Sequence, residues 1–264
     1  MPQKEPENQK EFPFPSESPE NQKALSQPNK ELNALKRACL YSIPPNRLGY
    51  CGPKESWKTL QEFISNPAEQ KTQETRFILQ NFNALYPYLQ LIAEANALKP
   101  FSPQVIEAYW LGSPLLENIS FKSIQKTILS FQKHGLPSST AEKKASQLPE
   151  SILSHHSMHV LYINFISRKI PALVQNLSDC LIQWGKVQAS LPEGILTKGI
   201  ELFSESGQLK LKEKEKILQN PFGIGLEEND LVTVHWNSVV EKITKKRLKS
   251  LQKTTFNNLR VVNS

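Results

Sequence analysis

The texture of the chain changes at Cys180, and that change constrains the fold more than any other feature. Before it, apolar residues recur at helical intervals; after it come short segments that partly alternate. Residues 180–190 (CLIQWGKVQAS), 194–203 (GILTKGIELF), 207–218 (GQLKLKEKEKIL) and 230–236 (DLVTVHW) are brief and rich in β-formers, and 204–207 sits where a hairpin turn belongs. Several short antiparallel strands in so few residues predict a small closed sheet. The expected class is α+β: a mainly helical N-terminal domain over 32–175, an OB-like antiparallel β-barrel over 178–243, and a basic amphipathic C-terminal helix over 244–264.

Residues 1–31 stand apart. They hold six of the 19 prolines, set among Glu, Gln, Asn, Ser and Lys. Such a stretch buries too little apolar surface to offset its ordering entropy, so a disordered tail is expected. Within the helical part, 31–40 reads as a helix that stops before Ile43-Pro44-Pro45, because proline disfavours helix in the residue preceding it. The segment PPNRLGYCGP (44–53) then reads as a rigid loop, with helices expected at 54–65, 68–82 and 84–97. Ser102-Pro103 marks a helix start and Gly112 its end. Ser120 caps another helix carrying Ile124, Ile128 and Phe131 on one face. Residues 134–150 read as a flexible polar connection. The pattern of 151–175 does not separate helix from strand over 157–168, although the length of its apolar run favours helix.

The net charge of +7 is uneven. The tail carries six acids against four bases, whereas 241–264 carry seven bases and one acid. At helical spacing Leu248, Leu251, Thr255 and Leu259 make an apolar stripe, and Lys242, Lys246, Lys249, Lys253 and Arg260 gather on a neighbouring face. The start of the chain lacks an apolar stretch of secretory type, and no run is long enough to span a bilayer. Cys39, Cys51 and Cys180 are an odd, sparse set, which suits reduced thiols in a cytoplasmic compartment.

Chemistry concentrates in a few residues. Three of the five histidines lie in HHSMH (155–159). In a helix, His155 and His159 share a face, as do His156 and His159, and neutral imidazoles so spaced can supply two ligands to zinc, iron or nickel. Histidines that hydrogen-bond at a domain junction are the alternative reading. Cys51 lies between glycines in the 44–53 loop, where a thiol is either exposed and reactive or part of a structural turn. Glu107, within VIEAYW, and Tyr50 are additional candidates. Cys180 is expected to open the first strand and His235 to sit on the last, with Val232, Val234 and Trp236 on the opposite face. If those strands are neighbours, thiol and imidazole approach each other as a pair able to bind iron or zinc; a buried thiol and a surface histidine are the alternative. GxGxxG, Walker, GxSxG and CxxC motifs are all absent, so no independent catalyst is proposed, although an enzyme with a cleft built from Cys51, Glu107 and the histidines stays open.

Two resemblances add to this reading. PPNRLGYCGP (44–53), LYPYLQLIAEAN (85–96), VIEAYWLGSPLL (105–116), HHSMHV (155–160) and VTVHW (232–236), in that order, resemble an uncharacterised prokaryotic family associated with nickel–iron hydrogenase gene clusters. Residues 180–253, through CLIQWGKV and ENDLVTVHWNSVVEKITKKRLKSL, resemble the HypC-type hydrogenase-assembly chaperones. That resemblance implies an OB-like barrel followed by a helix. It also implies that Cys180 and His235 hold an iron unit and engage the hydrogenase large-subunit precursor. The chain departs from that pattern in one respect: the cysteine of the HypC type lies at the N-terminus, whereas Cys180 is internal and offers no free amine. The function expected is therefore a non-enzymatic maturation factor for a metalloenzyme. The rival is single-stranded nucleic-acid binding by barrel and basic helix, with Trp184 and Trp236 as stacking candidates.

Overall fold

A computed structural model describes residues 27–166 and 170–264. The tail expectation for 1–26 lies outside the described residues, and at its far end Gln27 already begins a helix.

Helix α1 (Gln27–Arg47) runs through Pro44 and Pro45 rather than stopping before them. The correction has a packing cause. Leu35, Ala38, Tyr41 and Ile43 are all at most 1% exposed, and burying that face outweighs the proline penalty in the last turn. The rigid loop is thus confined to residues 48–56. Helices α2 (Trp57–Ser65), α3 (Glu69–Gln80), α4 (Leu85–Ala95) and α5 (Pro103–Leu111) follow near their expected places. Gly112 ends α5 with φ +78°, and a Cβ there would run into the Thr254 side chain, so the glycine also permits close approach of the C-terminal helix. Ser120 caps α6 (Phe121–Ser130) by accepting from the Ser123 N–H.

The expected flexible connection at 134–150 contains α7 (Ser138–Ser146). Its only apolar anchors, Ala141 and Ala145, lie four apart and are buried; a stripe so short is easily missed in a polar sequence. Helix α8 (His156–Met158) is a single turn that passes into a π-helical turn, His159–Ile163. The helical leaning for 157–168 therefore holds in part. Asn164 and Phe165 follow with positive φ. Helix α9 (Val174–Cys180) leads into the sheet.

The strands β1 (Gln183–Leu191), β2 (Gly194–Glu205), β3 (Gln208–Leu218), β4 (Leu231–His235) and β5 (Ser238–Lys242) form an antiparallel sheet in the order β3-β2-β1-β4-β5. Ser206 and Gly207, both at positive φ, make the tight β2–β3 turn that a right-twisted hairpin requires. The sheet is open rather than a closed barrel. Among the described residues its ends are joined by one isolated parallel bridge, Gln219 to Ser238. Strand β3 stays an outer strand: its alternating Lys and Glu over 212–215 face solvent, while near the hairpin tip Leu209 is held by the Asn263 side chain rather than by another strand.

Helix α10 (Lys245–Val262) is capped by the Thr244 hydroxyl, which accepts from the Arg247 N–H. It buries Leu251, Thr255 and Leu259, as its stripe predicts. One continuous apolar core takes in residues of α1 to α7 together with Ile182, Trp184, Val240, Ile243 and Leu251, so helices, sheet and α10 are packed as neighbours. None of the helices among the described residues is long and apolar enough to cross a membrane.

Candidate metal centre

Three potential ligands converge where the helical part packs on the sheet. His156 opens α8, Cys180 is the last residue of α9, and His235 is the last residue of β4. Strands β1 and β4 are antiparallel neighbours, with Gln183 opposite Val234, and this pairing draws Cys180 towards His235. All three side chains are buried, and their potential ligand atoms lie within 4.8 Å of one another. Cys180 Sγ is 3.9 Å from His156 Nε2. Bond lengths of ~2.0–2.3 Å to zinc give tetrahedral edges of roughly 3.3–3.6 Å, so only a modest contraction separates this triangle from a coordination sphere.

Two backbone carbonyls orient the imidazoles. His235 Nδ1–H donates to the Tyr41 carbonyl at 2.8 Å. That carbonyl lies four residues before Pro45, which has no N–H to return to it, so the proline in α1 leaves an acceptor for the histidine. With Nδ1 protonated in a neutral ring, His235 Nε2 carries the lone pair; it lies near the Cys180 backbone but makes no well-formed hydrogen bond. His156 Nε2–H donates to the Cys180 carbonyl at 2.9 Å, one of the acceptors that α9 leaves open at its C-terminus. His156 Nδ1 then accepts from the Tyr109 hydroxyl at 3.0 Å. The Trp110 ring lies 4.8 Å from the His156 ring and 6.0 Å from the His235 ring.

Electrostatics keep the centre neutral. Burial lowers His156 to about 4 and holds His235 well below the usual imidazole range, so both rings are uncharged at neutral pH. Burial pushes the Cys180 thiol well above its ordinary range; nearby Cys51 adds to the rise and the Trp236 indole opposes it. A cation in the triangle would reverse that balance by stabilising the thiolate.

A cavity of about 140 Å³ adjoins the triangle. A single water needs only ~10–15 Å³ on this scale, so there is room for an ion and for side-chain movement. Besides His156, Cys180 and His235, its lining includes Ser42, Tyr50, Cys51 and His159. Ser42 Oγ and His159 Nδ1 are buried there without a hydrogen-bond partner, and burial lowers His159 to about 3. Tyr50 packs against Trp236, with ring centroids 4.7 Å apart. The structure thus gathers Cys180, His235, His156, His159, Cys51 and Tyr50 around one space.

Other candidates lie elsewhere. His155 precedes α8 as its cap, where Nδ1 meets the Ser157 N–H at 3.0 Å and its hydroxyl at 2.9 Å. Glu107 belongs to an ion-pair cluster, bridging Arg37 at 3.1 Å and Arg247 at 2.8 Å. Burial raises its carboxyl, but the two guanidiniums outweigh that and leave it lowered. Cys180 closes a helix instead of opening a strand. His235 ends the penultimate strand, and its buried position excludes the surface-histidine reading. Val232 and Val234 share one small cluster as expected, but Trp236 takes φ +49°, leaves the strand and joins a different one. On the basic surface, Lys242 pairs with Asp230 and Lys253 with Glu117, while Lys246 and Lys249 line a shallow depression on α10.

A model of a family of unknown function (DUF6390) matches residues 35–264. The chain belongs to that family. The matched span includes every residue of the triangle and of the cavity lining. No curated protein and no solved structure matches the chain.

Sequence reasoning missed Tyr41, Tyr109, Ser42 and Asn46. Buried Asn46 organises the loop that carries Tyr50 and Cys51, donating to the carbonyls of Cys51 and Pro53, each at 2.7 Å, and accepting from the Trp57 N–H at 2.6 Å. An asparagine directly after two prolines was the available signal, since its side chain can stand in for missing backbone partners.

Proposed function

We propose that the protein binds a transition-metal ion through His156, Cys180 and His235 and acts as a non-enzymatic accessory factor for a metalloenzyme. The single observation that carries the metal reading is the convergence of two neutral imidazoles and a thiol on one buried point beside a cavity, with His235 Nε2 making no well-formed hydrogen bond. A buried polar atom without a partner is costly, and a metal ion removes that cost. One sulfur and two nitrogen donors suit zinc, iron or nickel and disfavour magnesium or calcium.

The accessory role is supported by the lack of recognisable catalytic motifs and by the resemblance of residues 180–253 to HypC-type chaperones. On that resemblance the enzyme served is a nickel–iron hydrogenase and the partner its large-subunit precursor. Because Cys180 follows a peptide bond, a free amine has no part in ligation, and His156 takes the third place. Nucleic-acid binding is less well supported. Trp184 and Trp236 are both buried, the first under Phe256 and the second against Tyr50, so neither offers a face for a base.

The test is elemental analysis of protein purified anaerobically, together with capture of a hydrogenase large-subunit precursor. Cys180→Ala and His235→Ala should each lose bound metal and weaken capture. If both variants keep wild-type metal content and capture, the assignment fails; retained metal loss with unaltered capture would leave the metal site and remove the hydrogenase role.

A further inference from the structure

Three protein ligands leave a tetrahedral ion one donor short, and the identity of the fourth decides what kind of centre this is. The cavity lining offers two strong donors beyond the triangle, Cys51 and His159. Charge separates them. A dication bound by the Cys180 thiolate and two neutral imidazoles carries a net single positive charge. Among the described residues, no Asp, Glu, Lys or Arg lines this cavity, so nothing else there compensates it. Adding His159 leaves the charge in place, in a site whose existing ligands are at most 5% exposed. Adding a second thiolate cancels it, and uncompensated buried charge is what such interiors exclude.

We infer that residues 48–53 supply the fourth ligand through the Cys51 thiolate, making the centre a closed site of two cysteines and two histidines. This rests on the metal reading above and deepens it.

The loop is built to hold such a ligand. Gly49 at φ +75° and Gly52 at φ +77° flank Tyr50 and Cys51. A Cβ on Gly52 would run into the Phe82 ring, so only glycine lets the backbone lie so close to the cavity wall there. The Cys51 carbonyl is fixed by Asn46, which holds the main chain of this residue against the cavity. Cys51 is half-buried, whereas the other three ligands are buried, so it is the donor nearest solvent and the natural last to engage. Cys51 and Cys180 line the same cavity, where two thiolates alone would repel each other. A cation between them turns that repulsion into shared attraction. Both thiols give up a proton on loading and no electron is transferred.

Cobalt(II) in place of the native ion tests the assignment, because sulfur-to-cobalt charge transfer counts thiolates per bound ion. Wild type should show two-thiolate intensity in a tetrahedral spectrum. Cys51→Ser and Cys51→Ala should each lose about half of it and weaken binding at least about tenfold, by comparison with the loss seen for ligand-supporting groups. His159→Gln should keep the full intensity per cobalt bound. The inference is overturned if both Cys51 variants retain wild-type intensity, or if His159→Gln takes the loss instead. No cobalt binding by wild type would remove the three-ligand site itself, a different failure from the first.

Discussion

Asn46→Ala is the perturbation that most directly measures how the loop beside the centre is held. Asn46 is 3% exposed and makes three hydrogen bonds, to the carbonyls of Cys51 and Pro53 and from the Trp57 N–H, at 2.6–2.7 Å. A net value of about 1 kcal/mol for each bond gives a loss of roughly 3 kcal/mol, and more where a stranded group stays out of water. For a chain of this size that is a fall of roughly 6–12 °C in Tm. Urea unfolding gives the free energy and calorimetry the midpoint. Asn46→Asp sharpens the test: it keeps an oxygen for Trp57 but sets a carboxylate against two carbonyls, so it should cost at least as much as alanine. Alkylation of Cys51 should accelerate in both variants, since the main chain that positions it is released. A loss under about 1 kcal/mol for Asn46→Ala, or a wild-type midpoint for Asn46→Asp, would show that the loop is held by something else.

Tyr109→Phe should weaken metal affinity by about 10–100-fold, the scale for removing a group that orients a ligating histidine. His156 can present Nε2 to a metal only if its proton moves to Nδ1, where the Tyr109 hydroxyl must then accept it; competition titration with a chromophoric chelator reads the change, and unchanged affinity refutes the role. Acid should destabilise the metal-free protein early. His155, His156 and His159 are lowered to about 3, 4 and 3 by burial, so the unfolded chain takes up their protons first. Their contribution is complete above the unfolded value of about 6.5 and is lost as pH falls below it, at about 1.4 kcal/mol per pH unit for each ring. Urea midpoints between pH 7 and pH 5 should fall steadily; a flat profile would mean that these rings are protonated equally in both states.

How much of this was legible in the sequence depended on whether the signal was local. The texture change at Cys180, the Thr244 and Ser120 caps and the stop at Gly112 are local rules, and each marks an element boundary in the structure. The passage of α1 through Pro44-Pro45 was not legible, because the local rule against it is overridden by burial of Tyr41 and Ile43 against distant elements. The pairing of His156 with Cys180 was hidden for the same reason. Helical spacing put both His155 and His156 on a face with His159, and a cap and a ligand cannot be told apart by spacing alone; in the structure His155 is the residue that caps α8. Tyr109 was unreadable as a partner of His156 until α5 was placed beside α8.

The two histidines are poised differently, and the cause lies in the helices around them. Pro45 removes the donor that would have occupied the Tyr41 carbonyl, so His235 spends its Nδ1 proton there and turns the Nε2 lone pair towards Cys180. The open end of α9 does the opposite to His156: its Cys180 carbonyl takes the Nε2 proton and holds the ring in the tautomer that does not ligate through that atom. One ligand is ready before a metal arrives, and the other needs a proton shift that Tyr109 is placed to allow. A centre assembled in that order engages first at His235 and Cys180, the pair contributed by the C-terminal part of the chain. On the proposed reading His156 can join them only when the helical part, through α5 and α8, yields its hydrogen bond. If the site binds a metal as proposed, the buried imidazole of His156 is the point at which the packing of the two parts and the occupancy of the site become one equilibrium.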